Sequence, residues 1–240
     1  MRGYQKLADA ISAFDFDFKD QTVLDIGSST GGFTECALDH GAKRVIAVEK
    51  GTNQMAAPLR FDPRVDLHEK TDIMTVGVQI SPSGGLRSAA ARAEAPAARG
   101  RLPEEPSEQR TCSLFRGDDW QATLVDGPAG RGPQKDFICT PDVIVADVSF
   151  ISLTKILKYA KLNLARPTTQ FLVMLKPQFE ATPAQLSRGV VKNAKIRRDI
   201  IKHFEQWLKQ NNFLIIKKRD NDLPGKTGNL ERFYWLTLAK

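Results

Sequence analysis

The sequence predicts an α/β fold: a mostly parallel sheet of seven strands with helices on both faces. First, short apolar runs alternate with helix-like segments along the 240-residue chain, which is typical of a parallel sheet with helical connections. Second, a glycine turn directly follows the first apolar run. Third, only a loop separates the last two runs, so we expect these to pair antiparallel at one edge of the sheet.

The predicted strands are the seven short apolar runs at residues 22–27, 44–50, 65–70, 142–147, 171–176, 213–219 and 232–238. The helices are predicted from amphipathic spacing and from turn residues. Gly41 closes the helix that follows the glycine turn, and Pro58 limits the length of the next one. The predicted helices lie at the N-terminus around Lys6 and at residues 30–41, 53–61, 153–162 and 194–210.

Residues 79–140 differ from the rest of the chain in composition. They are rich in Ala, Arg, Pro, Gly and Ser and show no helical or strand period, so we expect a largely disordered insertion into a single domain that spans residues 1–240. The run SLFRGDDWQATLVD within it is compatible with a short hydrophobic element. The insertion carries eight basic and eight acidic residues, so the net charge of +7 lies on the remaining body.

Composition and charge limit the classes of function. No apolar run approaches the roughly 20 residues of a membrane span, and the N-terminal stretch MRGYQKLADAISAF does not have the pattern of a signal peptide. Three scattered cysteines fit a reducing cytosol, so we expect a cytoplasmic protein without a membrane partner. Three isolated histidines offer no ligand cluster, and no metal site is predicted. The charge of +7 favours a polyanionic partner, although only modestly.

The stretch LDIGSSTGGFT, residues 24–34, predicts a ligand-binding loop at the end of the first strand. Its glycines permit a sharp turn and a close approach of the ligand to the backbone. Glu49 ends the next strand, where a carboxylate can accept hydrogen bonds from both ribose hydroxyls. The spacing matches neither a dinucleotide fingerprint nor a P-loop. An adenosine ligand without a pyrophosphate therefore fits better, and S-adenosylmethionine is the leading candidate.

Asp72 follows the third predicted strand, and two roles remain open for it. Its carboxylate is placed either to contact the adenine amino group or to cap a helix or turn. The residues predicted to bind the cofactor are Gly27, Ser28, Ser29, Thr30, Gly31, Gly32, Phe33, Thr34, Glu49, Asp72 and Asp147.

Two buried strands end on a charged residue. Asp147 ends DVIVAD and Lys176 ends FLVMLK, and in a parallel sheet both ends lie at the carboxyl edge beside the glycine loop. A carboxylate and an amine are thus expected to converge there, either as a site or as a structural ion pair. Lys6 and Glu231 are candidates to complete the group, although spacing alone does not show it.

Several stretches together resemble the TlyA-type (hemolysin A) family of ribosomal RNA 2′-O-methyltransferases, within the FtsJ/RrmJ-like group. They are VLDIGSSTGGFTECALDHGAKRVIAVEKG, VIVADVSFISL, FLVMLKPQFE, GVV and GNLERFYWL, in this order. The resemblance covers nearly all of the chain outside the insertion. It implies the Rossmann-like fold of S-adenosylmethionine-dependent methyltransferases, with an antiparallel last strand.

The resemblance also implies a catalytic tetrad. The family's Lys-Asp-Lys-Glu residues fall on Lys6 in RGYQKL, on Asp147, on Lys176 in KPQFE and on Glu231 in GNLE. The implied reaction transfers a methyl group from S-adenosylmethionine to a ribose 2′-hydroxyl, with a cytidine of ribosomal RNA as the target. Lys176 is then either the base or a fixed positive charge, because a free lysine amine is mostly protonated at neutral pH.

Ribosomal RNA or a ribosomal subunit is the implied partner. The cluster of basic residues in VVKNAKIRRD is either a phosphate-binding patch or the solvated face of a helix; its members are Lys192, Lys195, Arg197 and Arg198. Members of the family usually carry a small RNA-binding domain before the methyltransferase domain, and this sequence does not show one. One alternative function is therefore a truncated, non-catalytic remnant that binds RNA or cofactor, and a separate RNA-binding protein is a candidate partner. Another alternative function is a nicotinamide-dependent enzyme, which the glycine spacing disfavours.

Overall fold

The structure is a computed structural model that describes residues 1–78, 136–225 and 228–239. The described chain contains nine strands, which are β1 (Thr22–Ile26), β2 (Arg44–Val48), β3 (Val65–His68), β4 (Val76–Val78), β5 (Asp136–Ile138), β6 (Val143–Ala146), β7 (Gln170–Leu175), β8 (Phe213–Asp220) and β9 (Arg232–Leu238). Seven of these form the main sheet in the order β3-β2-β1-β6-β7-β9-β8. Strands β3, β2, β1, β6 and β7 are parallel, whereas β9 runs antiparallel to both β7 and β8. The predicted sheet, including its antiparallel last strand, is confirmed.

Helices cover both faces of the sheet. They are α1 (Arg2–Phe14), α2 (Gly32–Asp39), α3 (Ala57–Arg60), α4 (Leu153–Asn163), α5 (Pro177–Glu180) and α6 (Ala194–Gln210). The buried residues of α1 and α2 pack with one face of the strands, and those of α4 and α6 pack with the other. Successive strand residues alternate between these two cores, as the pleat requires. Helices thus shield both faces of the sheet from water, which explains why the strand sequences are continuous apolar runs.

Helix α6 shows how local sequence sets an element. The side chain of Asn193 accepts hydrogen bonds from the backbone N–H groups of Lys195 and Ile196 and so caps the helix start. Its apolar stripe is buried, and the helix occupies the predicted residues 194–210. Among the described helices, none is long and apolar enough to cross a membrane.

The structure changes two details of the prediction. Residues 136–138 fall within the predicted insertion, yet they form β5, which pairs in parallel with β4 in a separate two-stranded sheet. Residues 79–135, including the run SLFRGDDWQATLVD, lie outside the described part. The helix expected at 53–61 is shorter, because it begins at Ala57 with Pro58 in its first turn, where proline is favoured. Cys36 is a free buried thiol.

The topology brings four chain segments to one edge of the sheet. Strands β1, β6 and β7 are parallel, so their carboxyl ends lie side by side. Strand β9 is antiparallel, and Arg232 at its start lies opposite Leu175 at the end of β7. The residue before β9 therefore reaches the same edge as the residues that follow β1, β6 and β7.

Candidate functional site

Asp147 and Lys176 follow the neighbouring strands β6 and β7 and lie side by side at this edge. Nζ of Lys176 is 2.6 Å from Oδ1 of Asp147 and donates a hydrogen bond to Oγ of Ser149 at 3.0 Å. The two paired side chains keep 12% and 25% of their exposure. The pair is thus fixed by the strands but remains reachable from outside.

Lys6 and Glu231 form a second ion pair, joining α1 to the start of β9. Their side chains are only 7% and 4% exposed. They are 225 residues apart in sequence, which is why spacing alone did not bring them together. Gly225 packs against this pair, because a Cβ there would lie 2.9 Å from Oε1 of Glu231.

Both ion pairs line one cavity of about 810 Å³, here named the tetrad cavity. The tetrad, Lys6, Asp147, Lys176 and Glu231, is therefore brought together in space. The glycine loop contributes Gly27, Ser28 and Ser29 to its wall. A cavity of this size is large enough for a nucleotide-sized group.

A neighbouring cavity of about 760 Å³ is lined by Glu49 and Asp72 and is here named the Glu49 cavity. Asp147 lines both cavities, so they meet at the carboxylate beside Lys176. The other shared residues are Gly27, Ser29, Gln54, Ser149 and Phe150. A ligand in each cavity would therefore meet the other next to Asp147.

The glycine loop turns sharply between β1 and α2. Gly27 and Gly31 have φ values of 80° and 89°, and Ser29 adopts a φ of 47°, so the backbone lies in the region that glycine tolerates best. Thr30, Gly32 and Phe33 line the tetrad cavity. The remaining two predicted loop residues, Gly31 and Thr34, do not line either of the two cavities and serve packing and hydrogen bonding instead.

Two acidic residues of the Glu49 cavity accept hydrogen bonds from backbone N–H groups. Glu49 accepts the N–H of Ser29 at 2.9 Å and that of Gly51 at 2.7 Å. Asp72 accepts the N–H of Met74 and so caps the short 3₁₀ helix Ile73–Thr75; this hydrogen bond is the main reason that the pKa of Asp72 is lowered. The capping role is thus realised, and the adenine contact stays a prediction.

Sequence reasoning missed an aromatic pair at the tetrad cavity. Phe150 is 92% exposed although it is aromatic, and its φ is 63°, a conformation that bulky residues rarely adopt. Its ring lies 5.2 Å from that of Phe179, and both residues line the cavity. Their positions in SFIS and KPQFE, next to Asp147 and Lys176, were the available signal.

Asp25 was also missed, because the apolar run TVLDIG was read only as a strand. Its side chain is fully buried within β1 and accepts a hydrogen bond from Oγ1 of Thr34 at 2.7 Å. Burial raises the pKa of Asp25 to about 7, and the charge of Asp147 acts in the same direction. Asp25 therefore sits beneath the site without lining either cavity.

Only part of the predicted basic patch is exposed to solvent. Arg197 pairs with Asp220 at 2.6 Å and donates to the carbonyl of Leu230, with 15% of its side chain exposed. The other members of the patch are exposed; they are Lys192, Lys195 and Arg198. Arg197 thus holds α6 to the β8–β9 segment rather than standing free at the surface.

Comparison with known proteins gives one family. Residues 1–238 match the family model described as FtsJ-like methyltransferase. The chain is 30% identical over 236 residues to the 16S/23S rRNA (cytidine-2′-O)-methyltransferase TlyA of Mycobacterium tuberculosis, covering 98% of this chain and 67% of that protein. It is 30% identical to YqxC of Bacillus subtilis over 96% of this chain and 62% of that protein.

A solved structure of a candidate hemolysin from Streptococcus thermophilus is also similar. It superposes with a TM-score of 0.69 at 27% identity, covering 100% of this chain and 66% of that one. The chain therefore spans between 62% and 67% of the length of these three relatives.

Proposed function

Because the chain belongs to the FtsJ-like methyltransferase family, we propose that it transfers a methyl group from S-adenosylmethionine to a ribose 2′-hydroxyl of ribosomal RNA. The observation that carries the proposal is that all four tetrad residues line one cavity, which meets the Glu49 cavity at Asp147. Two adjoining cavities suit a reaction between two bound molecules. The names of similar proteins such as TlyA specify cytidine, and we propose the same target base here.

The Glu49 cavity fits the cofactor. The glycine loop lines it with Gly27 and Ser29. The residue between them, Ser28, faces the tetrad cavity and has a buried hydroxyl that finds no hydrogen-bond partner among the described residues, and such a group is suited to a polar ligand. Glu49 and Asp72 would hold the ribose hydroxyls and the adenine amino group. The bound cofactor supplies an electrophilic methyl group on a sulfonium.

The tetrad cavity suits the acceptor ribose. Lys176 is the residue that we propose to contact the 2′-hydroxyl, where it takes the proton or stabilises the charge that develops on the oxygen. Asp147 fixes the direction of the ammonium group through the 2.6 Å contact. Lys6 and Glu231 line the same cavity and contribute to its charge.

The exposed ring of Phe150 suits an unpaired base. Bases of single-stranded RNA stack on aromatic side chains, and this ring stands at the cavity in which the ribose would react. We therefore propose that the target nucleotide is unstacked from its neighbours when it enters. The exposed cations Lys192, Lys195 and Arg198 are candidates for contacts with RNA phosphates.

The partner in this proposal is ribosomal RNA, presented alone or in a ribosomal subunit, and the reaction would take place in the cytoplasm, where ribosomes are. A separate RNA-binding protein is a candidate second partner in this proposal. That protein would supply affinity for RNA, whereas the tetrad would supply the chemistry.

Transfer of radiolabelled methyl groups from S-adenosylmethionine to isolated small and large ribosomal subunits tests the proposal. We expect label in RNA, at a ribose oxygen, with the wild-type chain and none with Lys176→Ala. Binding of the cofactor in calorimetry without any transfer to either subunit would overturn it in favour of a non-catalytic, ligand-binding protein.

A further inference from the structure

Two segments of the site contact each other at four points. Residues 176–180, which follow β7, touch residues 149–153, which lead from β6 into α4. Nζ of Lys176 donates to Ser149, and the ring of Phe179 packs on that of Phe150. The carboxylate of Glu180 accepts from Oγ of Ser152 at 2.6 Å and from the N–H of Leu153 at 2.7 Å.

Glu180 supplies two of the four contacts with a single side chain. One oxygen binds the first N–H of α4, where the helix dipole favours a negative charge. The other binds Ser152, whose hydroxyl in turn caps α4 by accepting from the N–H of Thr154. Loss of this carboxylate would leave the start of α4 without its main partner outside the helix.

Phe150 lies between the two polar anchors, Ser149 and Ser152. Its left-handed backbone conformation and its exposed ring are both unfavourable for an isolated loop. A residue held in this way persists when its surroundings fix it, and such residues cluster at functional sites. The carboxylate of Glu180 fixes the loop at Ser152 and Leu153, which follow Phe150 in sequence.

We propose that Glu180 is a positioning residue that holds the loop of residues 149–152 so that Phe150 presents its ring at the tetrad cavity. The inference rests on the proposed function, because the ring is assigned to the base of the acceptor nucleotide. Glu180 does not line either cavity, so it acts on the substrate only through the loop.

A double-mutant cycle on the full chain tests this role in the methyl-transfer assay. Phe150→Ala and Glu180→Ala are each expected to raise KM for ribosomal RNA by about fivefold to 150-fold, the range of one lost stacking contact, with a smaller effect on kcat. The double variant should match Phe150→Ala alone, because no ring remains to be positioned. Effects that multiply would overturn the inference, since they would mean that Glu180 acts independently of Phe150.

Three comparisons separate positioning from general stability. Glu180→Gln keeps an acceptor for the N–H of Leu153 and should recover most of the wild-type KM. Glu205→Ala is the matched control for general stability, because Glu205 binds Lys218 and the hydroxyl of buried Tyr234, and neither it nor these partners line the cavities; its KM should not change. Hydrogen exchange of peptides that cover residues 149–155 should speed up in Glu180→Ala and not in Glu205→Ala.

The exchange measurement requires no turnover, so it keeps the two proposals apart. If the wild-type chain transfers no methyl group, the proposed function fails, and the exchange rates still decide whether Glu180 holds the loop. Unchanged exchange in Glu180→Ala would overturn the inference whatever the activity.

Discussion

Lys176 and Lys6 are both paired with a carboxylate, but the two pairs differ in exposure. The Lys176–Asp147 pair keeps 12% and 25% of its side-chain exposure, whereas the Lys6–Glu231 pair keeps 7% and 4%. A group that contacts a substrate must be reachable, so the more exposed Lys176 is the residue to which we assign the chemistry in the proposed function. The buried pair is better suited to shape and charge one wall of the cavity.

Lys176→Ala is expected to lower methyl transfer at least about 100-fold, the usual range for loss of an acid–base group. Cofactor affinity should change little, because the Glu49 cavity does not include Lys176. Single-turnover transfer and calorimetry with S-adenosylmethionine measure the two effects. Lys218→Ala is the control, since Lys218 pairs with Glu205 at the surface. Turnover retained by Lys176→Ala would exclude the assigned role.

Glu231→Leu is expected to destabilise the fold by about 3–5 kcal/mol, because it leaves the ammonium group of Lys6 buried without its partner. Adding Lys6→Met should recover most of this loss, since apolar pairs of similar volume often replace buried ion pairs without cost. Methyl transfer should nevertheless stay low in the double variant. Urea unfolding and the transfer assay measure these effects; full activity in the double variant would show that the pair is only structural.

At the scale of elements, the parts of the site differ in how far the sequence could predict them. Asp147 and Lys176 were predictable because parallel strands end at a common edge, and each residue directly follows an apolar run. Lys6 and Glu231 were placed by family resemblance, since they lie on elements from opposite ends of the chain. The left-handed Phe150 was not predictable, because its conformation depends on contacts from another segment.

Strand β5 was missed for a related reason. It is three residues long, and its pairing with β4 joins two segments that are far apart in sequence. Such pairing is decided by tertiary contacts rather than by local periodicity. Helix α6 is the opposite case, because its cap and its apolar spacing both lie within its own sequence.

The loop between β8 and β9 limits the position of Glu231 through Gly225. Gly225→Ala should push the carboxylate away from Lys6, because the added Cβ would lie 2.9 Å from Oε1 of Glu231. We expect methyl transfer to fall about tenfold or more, given the sensitivity of such reactions to small displacements. Gly3→Ala is the matched control in the same cavity, where the nearest atoms lie 3.7 Å from the new Cβ. Equal activity of the two variants would contradict the steric argument.

At the scale of the whole molecule, the sheet gathers acidic groups around one buried carboxyl group. Asp25 lies in β1, between β2 and β6, and the charges of Asp147 and Glu49 both disfavour its ionisation. Desolvation is the larger cause, since Asp25 is fully buried. Thr34 satisfies one oxygen, whereas the other finds no hydrogen-bond partner among the described residues.

The ionisation of Asp25 therefore makes the stability of the protein depend on pH. Its pKa rises from 3.8 to about 7 on folding, so the folded state holds a proton that the unfolded chain has lost, and the contribution of this group to stability falls as pH rises through that interval.

Asp25→Asn removes the titration and keeps an acceptor for Thr34. The free energy of unfolding of Asp25→Asn, taken relative to that of the wild type, should increase by up to about 1.4 kcal/mol for each pH unit in this window. Urea unfolding at pH 5 and pH 8 measures the gain. Asp62→Asn serves as the control, because Arg64 lowers the pKa of Asp62 and both states are then ionised at both pH values. A difference between Asp25→Asn and wild type that stays the same at pH 5 and pH 8 would show that Asp25 is ionised in the folded protein.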